Sequence, residues 1–153
     1  MAPVRWGILS AMSSDVLKIA LDTSGHQLRK CYEGISERAM DSSAGPAGMT
    51  ARQMLEHFSE CYEAYIAECE GRKYEWGSYK AADTSAGALL KAFQETRDRA
   101  VSLALSSEKP EVRSNALHYV ALHDCYHVGQ LCLIRLADDP SWDAYGIYEQ
   151  HVA

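Results

Sequence analysis

The chain has 153 residues, 47% of them hydrophobic and 24% charged, and a formal net charge of −6 at pH 7. Its lysines and arginines are scattered, with none of the patches or stripes that a nucleic-acid surface requires. No apolar run is long enough to span a bilayer, and the first ten residues lack the charged leader and long apolar core of a signal peptide. The expectation is one domain over residues 1–153, working in the cytoplasm.

A chain of this length buries a core without disulfides or metal to hold it together, so a bound metal is expected to be functional. The five cysteines, an odd number with no CxxC pair, are expected to be reduced thiols that pack as small apolar residues.

The first dozen residues carry no clear pattern. From about Ser13, Leu17, Leu21, Leu28 and Tyr32 recur near helical spacing. Asp15 and Lys30 suit the two ends of the helix dipole, and a stop is expected near Gly34. Gly25 marks a weak point in this helix or a place of close packing. Residues 40–49 form a loop by composition. Thr50-Ala-Arg-Gln53 then has the form of a capping box, opening a helix that buries Met54, His57 or Phe58, Cys61, Tyr65 and Cys69 and ends near Gly71. Cys61 lies one turn after His57 on the same face.

Residues 72–82 are an aromatic connection of mixed charge. Asp83 or Thr84 is expected to cap a third helix, with Leu89, Leu90, Phe93, Ala100 and Leu103 inside and Arg97, Asp98 and Arg99 outside. After a short break, Pro110 suits the first turn of a fourth helix, which runs to about Ala137 and stops at Asp138-Asp139-Pro140. No alternating strand pattern exceeds a few residues. Four helices, each with one apolar face, predict an all-α four-helix bundle. The long linkers around the second helix leave room for an order other than simple up-down-up-down.

The chemistry concentrates in the fourth helix. His123 and His127, four residues apart, stack on one face, in line with Ala116, Val120, Leu131 and Ile134. Two imidazoles in an apolar stripe are costly to bury without a partner, and a divalent metal accepts both. His57, inward on the second helix, supplies a third ligand. Three imidazoles from two helices leave open coordination positions, as a catalytic site needs. Zinc or nickel suits imidazole, with iron as a further option.

The segment also matches H-D-x-x-H, close to the H-E-x-x-H of zinc peptidases. The metzincin extension would need Gly at 130 and His at 133, where the chain has Gln130 and Leu133, and no strand is expected beside the helix to align a peptide. With the histidine face turned inward, Asp124 points about 100° round the helix from His123 and is expected to be a flank or surface carboxylate. Glu60, one turn beyond His57, is a candidate base or acceptor for an imidazole N–H, or else a solvated carboxylate. Gln130, one turn beyond His127, is a candidate for orienting a bound water, or for a hydrogen bond between helices. Tyr119 and Tyr126 are expected in the core. His118, His26 and His151 are not expected to be ligands.

In combination these features resemble the DinB family (the DinB/YfiT type) over nearly the whole chain. The matching residues are Met54-Leu-Glu-His57, the pair His123 and His127, Gly129-Gln130-Leu131, and the tail Pro140-x-Trp142-x-x-Tyr145-x-Ile147-Tyr148. The tail aromatics are expected to pack on the bundle or at a dimer contact. The resemblance implies a bundle of unusual connectivity, a divalent metal on His57, His123 and His127, and a homodimer. Family members of known activity include transferases and isomerases that use bacillithiol or mycothiol, and a few hydrolases. One departure is Val128, where members often carry Arg. The expected function is activation of water or a small thiol by the metal, hence thiol S-transfer or hydrolysis of a small molecule. The alternative is a non-enzymatic metal-binding or stress-response bundle.

Overall fold

In the computed structural model residues 14–149 are described, and the regular structure among them is helical. The elements are α1 (Ser14–Tyr32), the short α2 (Glu37–Met40), α3 (Ala51–Cys69), α4 (Ala86–Ser106), α5 (Pro110–Ala116) and α6 (His123–Asp138). A π-helical stretch, Leu117–Leu122, joins α5 to α6, and a 3-10 turn, Ala144–Tyr148, follows. The nearest thing to a sheet among the described residues is one isolated bridge, Ser43 with Thr50.

Local chemistry explains most of the boundaries. Past the end of α1, Gly34 adopts a φ of 63°, which a residue with a Cβ rarely tolerates. The capping box at α3 is complete: Thr50 Oγ1 accepts the Gln53 N–H at 3.1 Å and Gln53 Oε1 accepts the Thr50 N–H at 2.9 Å. Pro110 opens α5. The cap of α4 differs from expectation, being Ser85 rather than Asp83 or Thr84. Asp83 instead accepts the Ser85 N–H at 2.8 Å, and that turn delivers Ser85 to the cap position.

The fourth predicted helix is not uniform. Its middle is π-helical, so i→i+5 bonding absorbs an extra residue and shifts the phase of the turns on either side. This irregular turn ends where His123 begins.

α3 packs along α4, α1 packs along α6 and the π segment, and α3 also meets the π segment and α6. One apolar core runs through Leu17, Leu21 and Leu28 of α1, Met54, Phe58 and Tyr62 of α3, Leu89 and Phe93 of α4, and Val120, Leu131 and Ile134 further on. Leu90 and Leu103 sit half-buried at its edge. The tail is anchored by Ile147, which is buried, and by Trp142, whose ring lies 5.1 Å from the Arg135 guanidinium carbon. Tyr145 and Tyr148 take no part in that anchoring, being 80% and 67% exposed.

The centre of this core is polar. Arg97, expected on the surface, is buried, as is Asp124, also expected there. Arg97 donates to Asp124 Oδ2 through Nε at 3.0 Å and Nη2 at 2.8 Å. Tyr62 donates to Asp124 Oδ1 at 2.6 Å and Ser24 to Oδ2 at 3.0 Å. Arg97 Nη2 also reaches the Leu21 carbonyl at 2.7 Å and Ser24 Oγ at 2.9 Å. One side chain from each of α1, α3, α4 and α6 thus meets at a single point. Burial pushes the Asp124 carboxyl up from its usual range, while Arg97, Tyr62 and Ser24 pull it back. Burial also opposes the charge on Arg97, and Asp124 more than offsets it, so its pKa is raised.

Candidate metal centre

His57 lies near the middle of α3, His123 opens α6, and His127 follows one turn later. Their ring centroids stand 5.0 Å (57 to 123), 5.1 Å (57 to 127) and 4.7 Å (123 to 127) apart. One ring nitrogen of each falls within 4.8 Å of the others, a grouping that can hold a metal ion. The chain thus carries a three-histidine cluster of the kind expected from its sequence.

The donor set fits a metal on three grounds. His57 Nε2 and His123 Nε2 are 3.0 Å apart, and two imidazole nitrogens on one ion, with bonds of about 2.0–2.1 Å, stand roughly 3–3.4 Å apart. His127 Nδ1 is 2.7 Å from Gln130 Oε1. A carbonyl oxygen only accepts, so Nδ1 carries the proton and the Nε2 lone pair is free. All three rings are neutral near pH 7. Burial lowers the pKa of His57 and of His127, and burial with the two neighbouring imidazoles takes His123 down to about 4.

The surroundings sort the other candidates. Gln130 orients His127 from within its own helix, rather than bonding across to another, and its Nε2 donates to Tyr126 Oη at 3.2 Å. Glu60 is turned to the loop after α3, where Oε1 accepts the Gly77 N–H at 2.5 Å. Cys61 does share the face of His57, with Sγ 3.7 Å from His57 Nε2 and 3.8 Å from His123 Nε2. Burial pushes its thiol up to about 12. Tyr119 and Tyr126, expected in the core, are 56% and 65% exposed. They flank the histidines on the solvent side, away from the core-facing stripe. His118 is exposed, His26 is half-buried in α1, and His151 lies outside the described residues.

Behind the cluster, Phe58 packs its ring against His123 and His127 at 5.6 and 5.1 Å. The Arg97–Asp124 pair lies deeper, and Asp124 follows His123 directly in the chain. In front is a cavity of about 360 Å³ that reaches His123 and Cys61. The arrangement is a packed back wall, three imidazoles and an open side at His123.

No family model, curated protein or solved structure was found to match the chain. What defines its class is the all-helical fold and the three-histidine cluster. No helix among the described residues is long and apolar enough to cross a membrane.

Two outcomes follow from this geometry. Gln130→Ala frees the His127 ring from its hydrogen bond and is expected to weaken metal binding about 10–100-fold, as read by competition with a chelating dye. The second concerns acid. The three imidazoles bind protons less readily folded than unfolded, where their pKa is near 6.5. Their contribution to stability is complete above that value and is lost as pH falls from about 6.5 towards 4. The urea midpoint of chelator-stripped protein is expected to drop across this window, and His123→Gln to flatten the slope.

Proposed function

We propose that the chain is a DinB-type metalloprotein, a four-helix bundle whose His57, His123 and His127 hold one divalent transition metal. Its proposed action is to activate a small thiol for transfer to an electrophile, or water for hydrolysis. The observation that supports this best is the convergence of three imidazoles at one point, with His123 of the three on the wall of an open cavity, since a site with no catalytic task gains nothing from solvent access. Zinc and nickel suit the imidazole donors best, with iron next. The bound ion would supply Lewis acidity, lowering the pKa of a thiol or water that reaches it.

The protein's own residues do the rest. His57 and His123 bring two donor nitrogens together from separate helices. Gln130 fixes the tautomer of His127, and Phe58 and the buried ion pair keep the rings from retreating into the core. Val128, where the family often has Arg, is buried and apolar, so that position adds no charge near the site. A homodimer in the cytoplasm belongs to the same proposal, with Ile19 and Leu133 among the exposed apolar side chains that a second copy could cover. The engagement of Glu60 with Gly77 favours a second reading, a metal-binding bundle without catalysis, because it occupies the nearest candidate base.

Cobalt substitution tests the thiol proposal. In a Cys61→Ser background, which removes the protein's own nearby sulfur, cobalt-loaded protein is titrated with N-acetylcysteine. A saturable near-ultraviolet charge-transfer band is expected, absent with N-acetylmethionine and absent in His127→Ala. A cobalt-loaded protein that shows no band contradicts thiol activation and leaves hydrolysis or the non-catalytic reading.

A further inference from the structure

The open side of the histidine cluster is walled by aromatic rings. Tyr65 comes from α3, Tyr74 and Trp76 from the loop after it, and Tyr119 from the π segment, while Cys61 and His123 form the inner end of the cavity. Trp76 is 65% exposed, although its flat apolar body loses favourable burial by standing in water.

The loop that presents it is held in place. Gly77, at a φ of 82°, gives its N–H to Glu60, and the Ser78 hydroxyl donates to the Glu75 carbonyl at 2.5 Å. Tyr74 and Trp76 meet edge to face, with centroids 5.5 Å apart. The rings are therefore set before any ligand arrives, which lowers the cost of binding one.

Three of the polar groups around the cavity, on Tyr65, Arg72 and Glu68, are already engaged. Tyr65 donates its hydroxyl to the Val112 carbonyl at 3.1 Å, so its ring is what remains to meet a ligand. Arg72 is paired with Glu70 at 2.7 Å, and Glu68 accepts from the Asn115 amide at 2.9 Å. Arg72, the only Lys or Arg among the residues lining the cavity, thus already has its anion, and the lining offers no spare cation to an anionic ligand. A volume of about 360 Å³ is at the small end for ligand sites, which run from about 300 to 1,000 Å³.

From this we propose that the cavity takes a flat, uncharged aromatic small molecule, stacked among Tyr74, Trp76 and Tyr119 with one edge towards Cys61 and His123. Its role as the substrate attacked at the metal rests on the function proposed above; the binding itself does not. Aromatic rings favour aromatic partners through offset and edge-to-face contacts beyond what area alone supplies. A saturated molecule of the same skeleton fills the same space without that gain.

The test uses a matched pair, 2-naphthol and decahydro-2-naphthol, titrated calorimetrically into zinc-loaded protein, Trp76→Ala and His127→Ala. The naphthol is expected to bind at least about tenfold more tightly than its saturated partner, and Trp76→Ala to weaken it at least about fivefold. His127→Ala is expected to keep its affinity within about threefold, because the aromatic wall is untouched. Equal binding of the two probes, no binding of either, or indifference to Trp76→Ala overturns the inference. Zinc held at one per chain without naphthol binding defeats the aromatic site alone. Naphthol bound by a protein that takes up no metal sustains it while the metalloprotein proposal fails.

Discussion

Asp124→Ala is expected to cost about 3–5 kcal/mol of stability, because it leaves the Arg97 guanidinium buried without its anion. Arg97 is 4% exposed and Asp124 fully buried, so neither can turn to water without opening the core. Tyr62 and Ser24 lose their acceptor in the same change. In a chain of this size the loss corresponds to a fall in Tm of roughly 10 °C. Replacing both charges, Arg97→Met with Asp124→Leu, is expected to recover much of it, since a buried pair contributes little beyond apolar residues of similar volume. Thermal and urea unfolding of the three variants check this. A single Asp124→Ala that loses less than about 1 kcal/mol would contradict the buried pair.

Gly25→Ala decides between two opposed effects. Within a helix, alanine for glycine is ordinarily favourable by about 1 kcal/mol. Here a Cβ on Gly25 would stand 2.4 Å from Arg97 Nη1 and 2.7 Å from its Cζ. An arginine tip usually yields cheaply, but this one is held by Asp124, Ser24 and the Leu21 carbonyl. Displacing it costs overpacking of about 1–3 kcal/mol and charged hydrogen bonds of about 1.5–3 kcal/mol each. The net expectation is destabilisation by about 2–4 kcal/mol, measured by urea unfolding. In an Arg97→Met background, where the side chain is free to move aside, the same substitution is expected to cost far less. A stabilising Gly25→Ala in the native background would show that the guanidinium is not packed there.

Gly25 shows how much was legible beforehand. Its position inside an apolar pattern marked either a weak point or close packing, and nothing local identified Arg97 as the neighbour. The helices themselves were readable because their ends carry chemistry: Thr50 with Gln53, Pro110, and the glycines at 34 and 71. His57, His123 and His127 were readable because polar residues on apolar faces at helical spacing need a partner.

Asp124 carried the same signal and was missed. Val120, Ala121, Val128 and Leu131 stand at minus four, minus three, plus four and plus seven from it, and all are buried. The core-facing stripe of this helix runs through Asp124, with His123 at its edge. Centring the face on the histidines turned the aspartate outward. Arg97 likewise falls on the spacing of Phe93, Ala100 and Ala104, a lone cation on an apolar face that matches the lone anion on α6. The π stretch had no such mark, since residues 117–122 hold neither Pro nor Gly and their apolar positions suit either helix. The partner of Glu60 was out of reach too, because it lies in a loop without a period.

The central claim is that three histidines hold one metal ion. It is tested most directly by elemental analysis of protein purified without a metal-binding tag, beside His127→Ala prepared identically. About one transition metal per chain in the native protein, and little in the variant, is the predicted result. No metal in either, with none taken up when zinc, nickel or iron is added, would contradict the account and leave the histidines as a hydrogen-bonded cluster at the edge of a helical core.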